Sequence, residues 1–307
     1  MKARGIKQWT KASLAALGAL FAGAVWANPH PWQLGMPRGV TSTSSDVYGL
    51  FIASFWVCVA IGVVVFTVMT LAIIRFRKSK GAVAEKWSHN TLLETVWTII
   101  PFIILAGLAW PASKVLTEMA DTTDSGMTVK VTGYQWKWRY DYVDYQGKTI
   151  DKVGFMSSLA KSSNKARQLD SGISPWDVKD ADGNNDYLLA VDKPLVVPVG
   201  VKIRFVITAG DVIHSWWVPD LGWKMDAIPG IVNAAWAKID KPGTYLGQCA
   251  ELCGQDHGYM PVVVKAVPRA EFEKWLAAKE DDASLDKASR TAGVHADKTL
   301  PAAETQG

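Results

Sequence analysis

Two long stretches of the chain carry no charged residue, Val47 to Ile74 and Thr95 to Ser113. The first exceeds the roughly 20 apolar residues that cross a bilayer as a helix, and the second comes close to that length. After the first come Arg75, Arg77, Lys78, Lys80 and Lys86, with Glu85 the only acid among them. The pattern predicts a two-helix transmembrane hairpin with spans over about 47–74 and 93–114. The basic loop belongs on the cytoplasmic side. Near the N-terminus a shorter apolar run, Ala12 to Val25, follows Lys2, Arg4, Lys7 and Lys11 and ends at Val25-Trp26-Ala27. A basic start, a short apolar run and small residues at its end read as a secretory signal peptide over 1–27. Signal and hairpin are separate features, and both put the remainder of the chain on the outer face of a membrane.

Beyond Lys114 the period shortens. Val129, Val131, Tyr134, Trp136, Trp138 and Tyr140 alternate in part across Met127 to Val143. Tyr187–Pro198, Val201–Ala209, Val212–Val218, Ile231–Ile239, Thr244–Gln248 and Pro261–Val267 follow. These stretches are short, rich in Val, Ile, Trp and Tyr, and separated by Gly, Pro, Asp and Asn. That spacing predicts an all-β sandwich or barrel, here over about 121–275. The polar stretch Ser157 to Asn185 reads as a surface insertion. Residues 276–307 read as a flexible polar tail; His295 there reads as a surface residue.

Composition narrows the class. The chain is 49% hydrophobic with a net charge of +4, and the four basic residues of the leader account for that charge. No nucleic-acid footprint remains. Three cysteines are too few for a disulfide framework. Cys58 falls in the first span and reads as a small apolar filler.

The other two cysteines stand in Gln248-Cys249-Ala250-Glu251-Leu252-Cys253-Gly254-Gln255-Asp256-His257-Gly258-Tyr259-Met260. Cys249, Cys253, His257 and Met260 are soft sulfur donors with one imidazole, a set suited to copper rather than to magnesium, calcium or manganese. Taken alone, the segment is also compatible with a zinc site or with a disulfide in an exported domain. His214, beside a predicted strand, can reach the loop because strands distant in sequence become neighbours in a sandwich; thioether and second imidazole favour copper. Two thiolates could bridge two coppers, each capped by one histidine, with Met260 and the Glu251 carbonyl as weak ligands. Six ligands around two metals leave no open position of the catalytic kind, so this reads as an electron relay. Glu94, at the start of the second span, has two readings, a carboxylate at a helix N-terminus and a proton or ion entrance near lipid.

These motifs resemble the dinuclear copper A subunit, subunit 2, of haem-copper cytochrome c oxidases. The resemblance covers roughly residues 45–275. It rests on the loop, on His214-Ser215-Trp216-Trp217-Val218-Pro219, on Asp226-Ala227-Ile228-Pro229-Gly230, on Gly133-Tyr134-Gln135-Trp136-Lys137-Trp138, and on Leu93-Glu94 with Trp97-Thr98 and Pro101. It implies a cupredoxin-like barrel that holds two copper ions through His214, Cys249, Cys253, His257, Met260 and the Glu251 carbonyl. It further implies that the Glu251 carboxylate contacts a magnesium or manganese ion at the border with subunit 1. Trp136 would be where the electron from cytochrome c enters, and Glu94 the mouth of a proton channel. The haems, and the reduction of oxygen to water coupled to proton pumping, would lie on subunit 1. Expected partners are cytochrome c, subunit 1, other oxidase subunits and the membrane. The expected location is a bacterial inner membrane, with the copper domain on the periplasmic face. The chain departs from the family at Ile231, where many members have Arg, and in its longer insertion. No Cys-x2-Cys-His follows the barrel, so no haem c domain is expected. Asp141, Asp144 and Asp211 are candidates for an acidic patch facing a basic partner. A quinol oxidase subunit without copper and the copper A domain of nitrous oxide reductase are the related alternatives; the intact ligand set and the hairpin, respectively, argue against them.

Overall fold

A computed structural model describes residues 35–84, 86–150, 153–179 and 186–296. The expected signal peptide, 1–27, lies outside the described residues. Helix α1 runs Ser42–Arg75 and helix α2 Thr91–Ala120. Their side chains between the ends are almost all exposed, Phe55, Trp56, Phe66, Ile73, Phe102, Ile103 and Trp110 among them. Such helices are apolar all round and bury nothing within the chain, the pattern of lipid-facing or partner-facing spans. Pro101 and Pro111 stand inside α2, as membrane helices tolerate. At about 51 Å for the 34 residues of α1 and about 45 Å for the 30 of α2, both outrun a hydrocarbon core of about 30 Å. Their ends therefore stand clear of it and join the β domain.

That join is polar and specific. Thr41 caps α1, its hydroxyl accepting the Ser44 N–H at 2.9 Å while Ser44 Oγ accepts the Thr41 N–H at 3.0 Å, a reciprocal capping box. The same Thr41 hydroxyl donates to the Leu221 carbonyl, and the Val40 N–H to that of Asp220. At the end of α2, the Glu118 carbonyl accepts the Trp236 Nε1–H at 3.0 Å. The hairpin is thus bonded to the domain at both its outer ends.

The domain is two packed sheets. One contains β1 (Met127–Tyr134), β2 (Lys137–Tyr145), β3 (Lys148–Thr149), β4 (Gly154–Ser157), β6 (Lys202–Ala209) and β9 (Asn233–Lys238), in the order β3-β2-β1-β6-β9 with β4 also on β2. The other contains β5 (Leu195–Pro198), β7 (His214–Val218), β8 (Trp223–Ala227), β10 (Gly243–Cys249) and β11 (Pro261–Val267), in the order β5-β11-β10-β7-β8. Alternation drives the inner faces: Met127, Val129 and Val131 of β1, Trp138, Tyr140 and Tyr142 of β2, and Ile203, Phe205 and Ile207 of β6 are all buried. Trp216 of β7 lies with its ring 5.2 Å from Phe205 and 5.3 Å from Trp223. These rings fill the space between the sheets.

The sheets depart from the sequence expectation in several places, the short strands β3 and β4 among them. Met127–Val143 is two strands, broken at Gln135-Trp136. Trp223–Ala227 was not singled out; it forms a hairpin with β7 across Gly222, whose φ of 85° suits glycine. Tyr187–Leu189 is a turn, the Asp186 carbonyl accepting the Leu189 and Ala190 N–H groups, and only Leu195–Pro198 is strand. The insertion carries a short helix α3, Lys161–Ala166.

The tail needs correction. Residues expected to be flexible from 276 are helical as far as Ala296, in α4, Arg269–Ala296, and the expected boundary at 275 falls inside this helix. Residues 297–307 lie outside the described residues. Phe272 and Leu276, four apart and so on one face, are both buried in the core, with Phe272 5.1 Å from Tyr145 and 6.4 Å from Tyr142 between ring centres. Ala, Glu and Lys then continue the helix by propensity. Phe272→Ala should cost about 3–5 kcal/mol and release α4. Amide exchange along 269–279 is expected to quicken while β1 keeps its protection; unchanged exchange would show that this ring does not hold the helix.

Candidate metal centre

Strand pairing builds the site. β7 begins on His214 and β10 ends on Cys249, and the two run antiparallel with Cys249 opposite Trp216 and Gln248 opposite Trp217. The Ala250 N–H then donates to the Ser215 carbonyl at 2.9 Å. His214 Nδ1 consequently lies 3.9 Å from Cys249 Sγ. The loop between β10 and β11 closes on itself, the Cys249 N–H donating to the Met260 carbonyl at 3.3 Å. Inside it, Cys253 Sγ is 3.9 Å from Cys249 Sγ, 3.5 Å from His257 Nδ1 and 3.5 Å from Met260 Sδ. The Glu251 carbonyl oxygen stands 3.4 Å from Cys249 Sγ. His214, Cys249, Cys253 and Met260 are buried and His257 is half-buried.

The ligand atoms of His214, Cys249 and Cys253 all lie within 4.8 Å of one another, so the three could hold a metal ion. The donor chemistry fits a soft one. Two thiols, two imidazole nitrogens and a thioether converge with a backbone carbonyl, and no carboxylate oxygen is among them. The thiol sulfurs belong to free cysteines, their separation well beyond the ~2.05 Å of a disulfide bond.

The surroundings prepare these donors. His214 Nε2–H donates to Asp211 Oδ1 at 2.9 Å, which leaves the Nδ1 lone pair for the sulfur side. Burial would raise the Asp211 pKa, but N–H donors from Gln135 and His214, and that of Val212, take it below the ordinary carboxylate value. Asp211 thus accepts from His214 through Oδ1 and from the Gln135 N–H through Oδ2. Burial also pushes the Cys249 thiol up, yet hydrogen bonding with His214 and with backbone at Ser215 and Glu251 brings it below its usual value. Cys253 goes the other way, to about 12, through burial and then the neighbouring Cys249 charge. A cation bound by both sulfurs would displace the thiol protons, as coupled metal binding and deprotonation require.

The contacts that several neighbours make with the ligands are visible only in the fold. Asp211, expected in an acidic patch facing a partner, bonds His214. Gly133 faces the His214 ring so closely that a Cβ there would come within 2.7 Å of His214 Cδ2. Gln135 donates from Nε2 to the Cys253 carbonyl at 3.0 Å, and Trp138 from Nε1 to that of Met260 at 3.4 Å. Gly254, at φ 115°, lets Trp136 lie against the loop; a Cβ would be 3.4 Å from Trp136 Cζ2. Trp136 is half-buried, and its Nε1 has no hydrogen-bond partner among the described residues.

The other expected site residues lie elsewhere or face outward. The Glu251 side chain belongs to an exposed residue. Glu94 sits in the first turn of α2, its Oε1 accepting the Asn90 N–H at 3.2 Å and lying 2.8 Å from His89 Nδ1, far along the helix from the metal loop. Asp141 is paired with Arg139 at 2.7 Å and 2.9 Å. Asp211 bonds His214 and Gln135 but stays an exposed residue, and Asp144 is half-buried.

Residues 127–267 match the family described as "Cytochrome C oxidase subunit II, periplasmic domain", and residues 29–115 match its transmembrane domain. The chain belongs to the cytochrome c oxidase subunit II family. It is 37% identical over 261 residues to a probable cytochrome c oxidase subunit 2 of Rickettsia conorii, covering 85% of this chain and 76% of that one. It is 34% identical to cytochrome c oxidase subunit 2 of Mycosarcoma maydis, covering 81% and 91%. The solved periplasmic domain of subunit II of cytochrome oxidase from Bradyrhizobium japonicum aligns at 36% identity and a TM-score of 0.42, over 53% of this chain and 99% of that one. As a subunit II, the chain is part of an oxidase enzyme complex, with a membrane hairpin and a periplasmic-type β domain that contains the whole metal group.

Asp211→Asn keeps the shape but removes the charge behind His214. Metal affinity, measured against a competing chelator, should fall by about 10–100-fold. An unchanged affinity would mean that Asp211 does not act through His214.

Proposed function

We propose that this chain is the electron-accepting subunit of a cytochrome c oxidase. It would hold two copper ions through His214, Cys249, Cys253, His257, Met260 and the Glu251 carbonyl. When bound, the copper pair supplies single-electron redox chemistry, taking electrons from reduced cytochrome c and passing them to the haem of subunit 1, where oxygen becomes water and protons are pumped. The observation that carries this reading is the convergence of buried His214, Cys249 and Cys253, with His257 and Met260 within 3.5 Å of Cys253 Sγ.

The chain's own residues would do five things. The β7–β10 pairing and the closed loop hold the donors in a fixed frame, so that few atoms move when the charge changes. Trp138, Trp216 and Met260, all buried, keep water from the inner side of the group. Trp136, laid on the loop over Gly254, is placed to couple an outside donor to the thiolates. The Glu251 carboxylate, exposed beside Cys249 and Cys253, is free to meet a magnesium or manganese ion shared with subunit 1. Glu94 at the opposite end of α2 is the proposed proton entrance. Its bonds to Asn90 and His89 also satisfy a helix N-terminus, so the two roles are compatible. The bacterial inner membrane is the proposed setting, with the β domain on the periplasmic side and other oxidase subunits around the hairpin.

Rapid mixing of the purified oxidase with reduced cytochrome c tests the electron path. Trp136→Ala should slow the first electron transfer while leaving the absorption spectrum of the metal centre unchanged. An unaltered rate would remove Trp136 from the path. An altered spectrum would show instead that Trp136 supports the centre itself.

A further inference from the structure

The insertion between β4 and β5 is not a loose surface excursion. Its root is pinned where it leaves and returns. The Ala160 N–H donates to the Ala190 carbonyl and the Asp192 N–H to the Ser158 carbonyl, both at 3.0 Å, and the Ser158 N–H to Asp192 Oδ1 at 2.7 Å. Helix α3 buries Ser163 and Ala166, and Ser163 Oγ accepts the Leu188 N–H at 3.1 Å. The next residue after this helix is Arg167, and it reaches the metal loop.

Its guanidinium is held on three sides. Nε donates to Asn164 Oδ1 at 2.8 Å, which sets the plane of the group. Nη1 and Nη2 donate to Asp256 Oδ1 and Oδ2 at 3.4 and 3.3 Å. Cζ lies 4.2 Å from the centre of the Tyr259 ring. An exposed ion pair with bonds this long would be worth little. This one is about three-quarters covered, 23% exposed on the arginine and 25% on the aspartate, and one rigid fork serves the carboxylate and the ring together, which a lysine cannot do.

Asp256 and Tyr259 are the two ends of the short turn His257–Tyr259, closed by the Tyr259 N–H donating to the Asp256 carbonyl at 2.9 Å. His257 lies between them and Met260 follows directly. Asp256 stands at the cap of that turn, yet its side chain makes no capping bond; it faces Arg167 instead. The side chains at both ends of the turn are therefore committed to the insertion.

We propose that Arg167 is a positioning residue for the metal loop: through Asp256 and Tyr259 it fixes the turn that aims His257 and Met260, and the insertion is the scaffold that delivers it. The proposal rests on the reading of this loop as the metal-binding segment. The test uses the full chain in detergent, first metal-free and then loaded with copper, as wild type, Arg167→Ala, Arg167→Lys and Asp256→Asn. In the metal-free protein, Arg167→Ala should speed amide exchange of His257 and Tyr259 about three- to tenfold, the scale of a partly covered ion pair with ring stacking, while β1 and β6 keep their protection. Asp256→Asn should act in the same direction, and Arg167→Lys should restore only part of the protection. In the loaded protein, a chelator should remove copper faster from Arg167→Ala, and its absorption bands should shift. Unchanged exchange at His257 and Tyr259, a uniform rise across both sheets, or full restoration by lysine would each overturn the brace. A wild-type chain that takes up no copper would overturn the metal reading instead, and the metal-free exchange would still decide the brace.

Discussion

Two residue pairs of antiparallel sheet, Gln248 with Trp217 and Cys249 with Trp216, hold the site together. Without that pairing, β7 and β10 would not meet, and His214 would stand away from the cysteines that follow it much later in the chain. A register slip of one residue would turn Cys249 to the opposite face of its strand and dismantle the donor group. The surrounding core guards against this. Trp216 is wedged between Phe205 and Trp223, and β11, buried along almost its whole length, pairs with β10 along six residues.

Around this frame the donors are placed from three directions. Asp211 acts from behind His214 and also ties it to the Gln135 N–H, so the imidazole and the Gln135-Trp136 segment share one carboxylate. Gln135 and Trp138 bond the carbonyls of Cys253 and Met260 from the β1–β2 side. Arg167 approaches the remaining turn from the insertion. The pocket is thus backed by the barrel, with Gly133 and Gly254 where a side chain would otherwise intrude. Such a frame would resist rearrangement when the charge on a bound metal changes, as the proposed electron relay requires.

The donors were legible because their chemistry is compact. Cys249, Cys253, His257 and Met260 fall in one short loop, and soft sulfur with imidazole has few other uses. The hairpin was legible because two uncharged runs and a basic loop encode spans and orientation locally. What was not legible depends on which side chains meet in the fold, whether near or far in the chain. Arg167 and Asp256 are 89 positions apart, and Arg167 belongs to no motif. Asp211 reads as a surface acid until β7 brings His214 over it, and Asp141 until Arg139 claims it. Polar composition hides α4 from residue 276 on; Phe272 and Leu276, four apart, are its signal, a weak one without the tyrosines nearby.

This pocket is proposed to hold a pair of coppers sharing one electron. Metal analysis together with electron paramagnetic resonance on the purified oxidase tests this. Two coppers per copy of this chain are expected, with a signal split by two equivalent copper nuclei and lost in Cys249→Ser. One copper with the splitting of a single nucleus, zinc in its place, or a Cys249–Cys253 disulfide with no metal would contradict it.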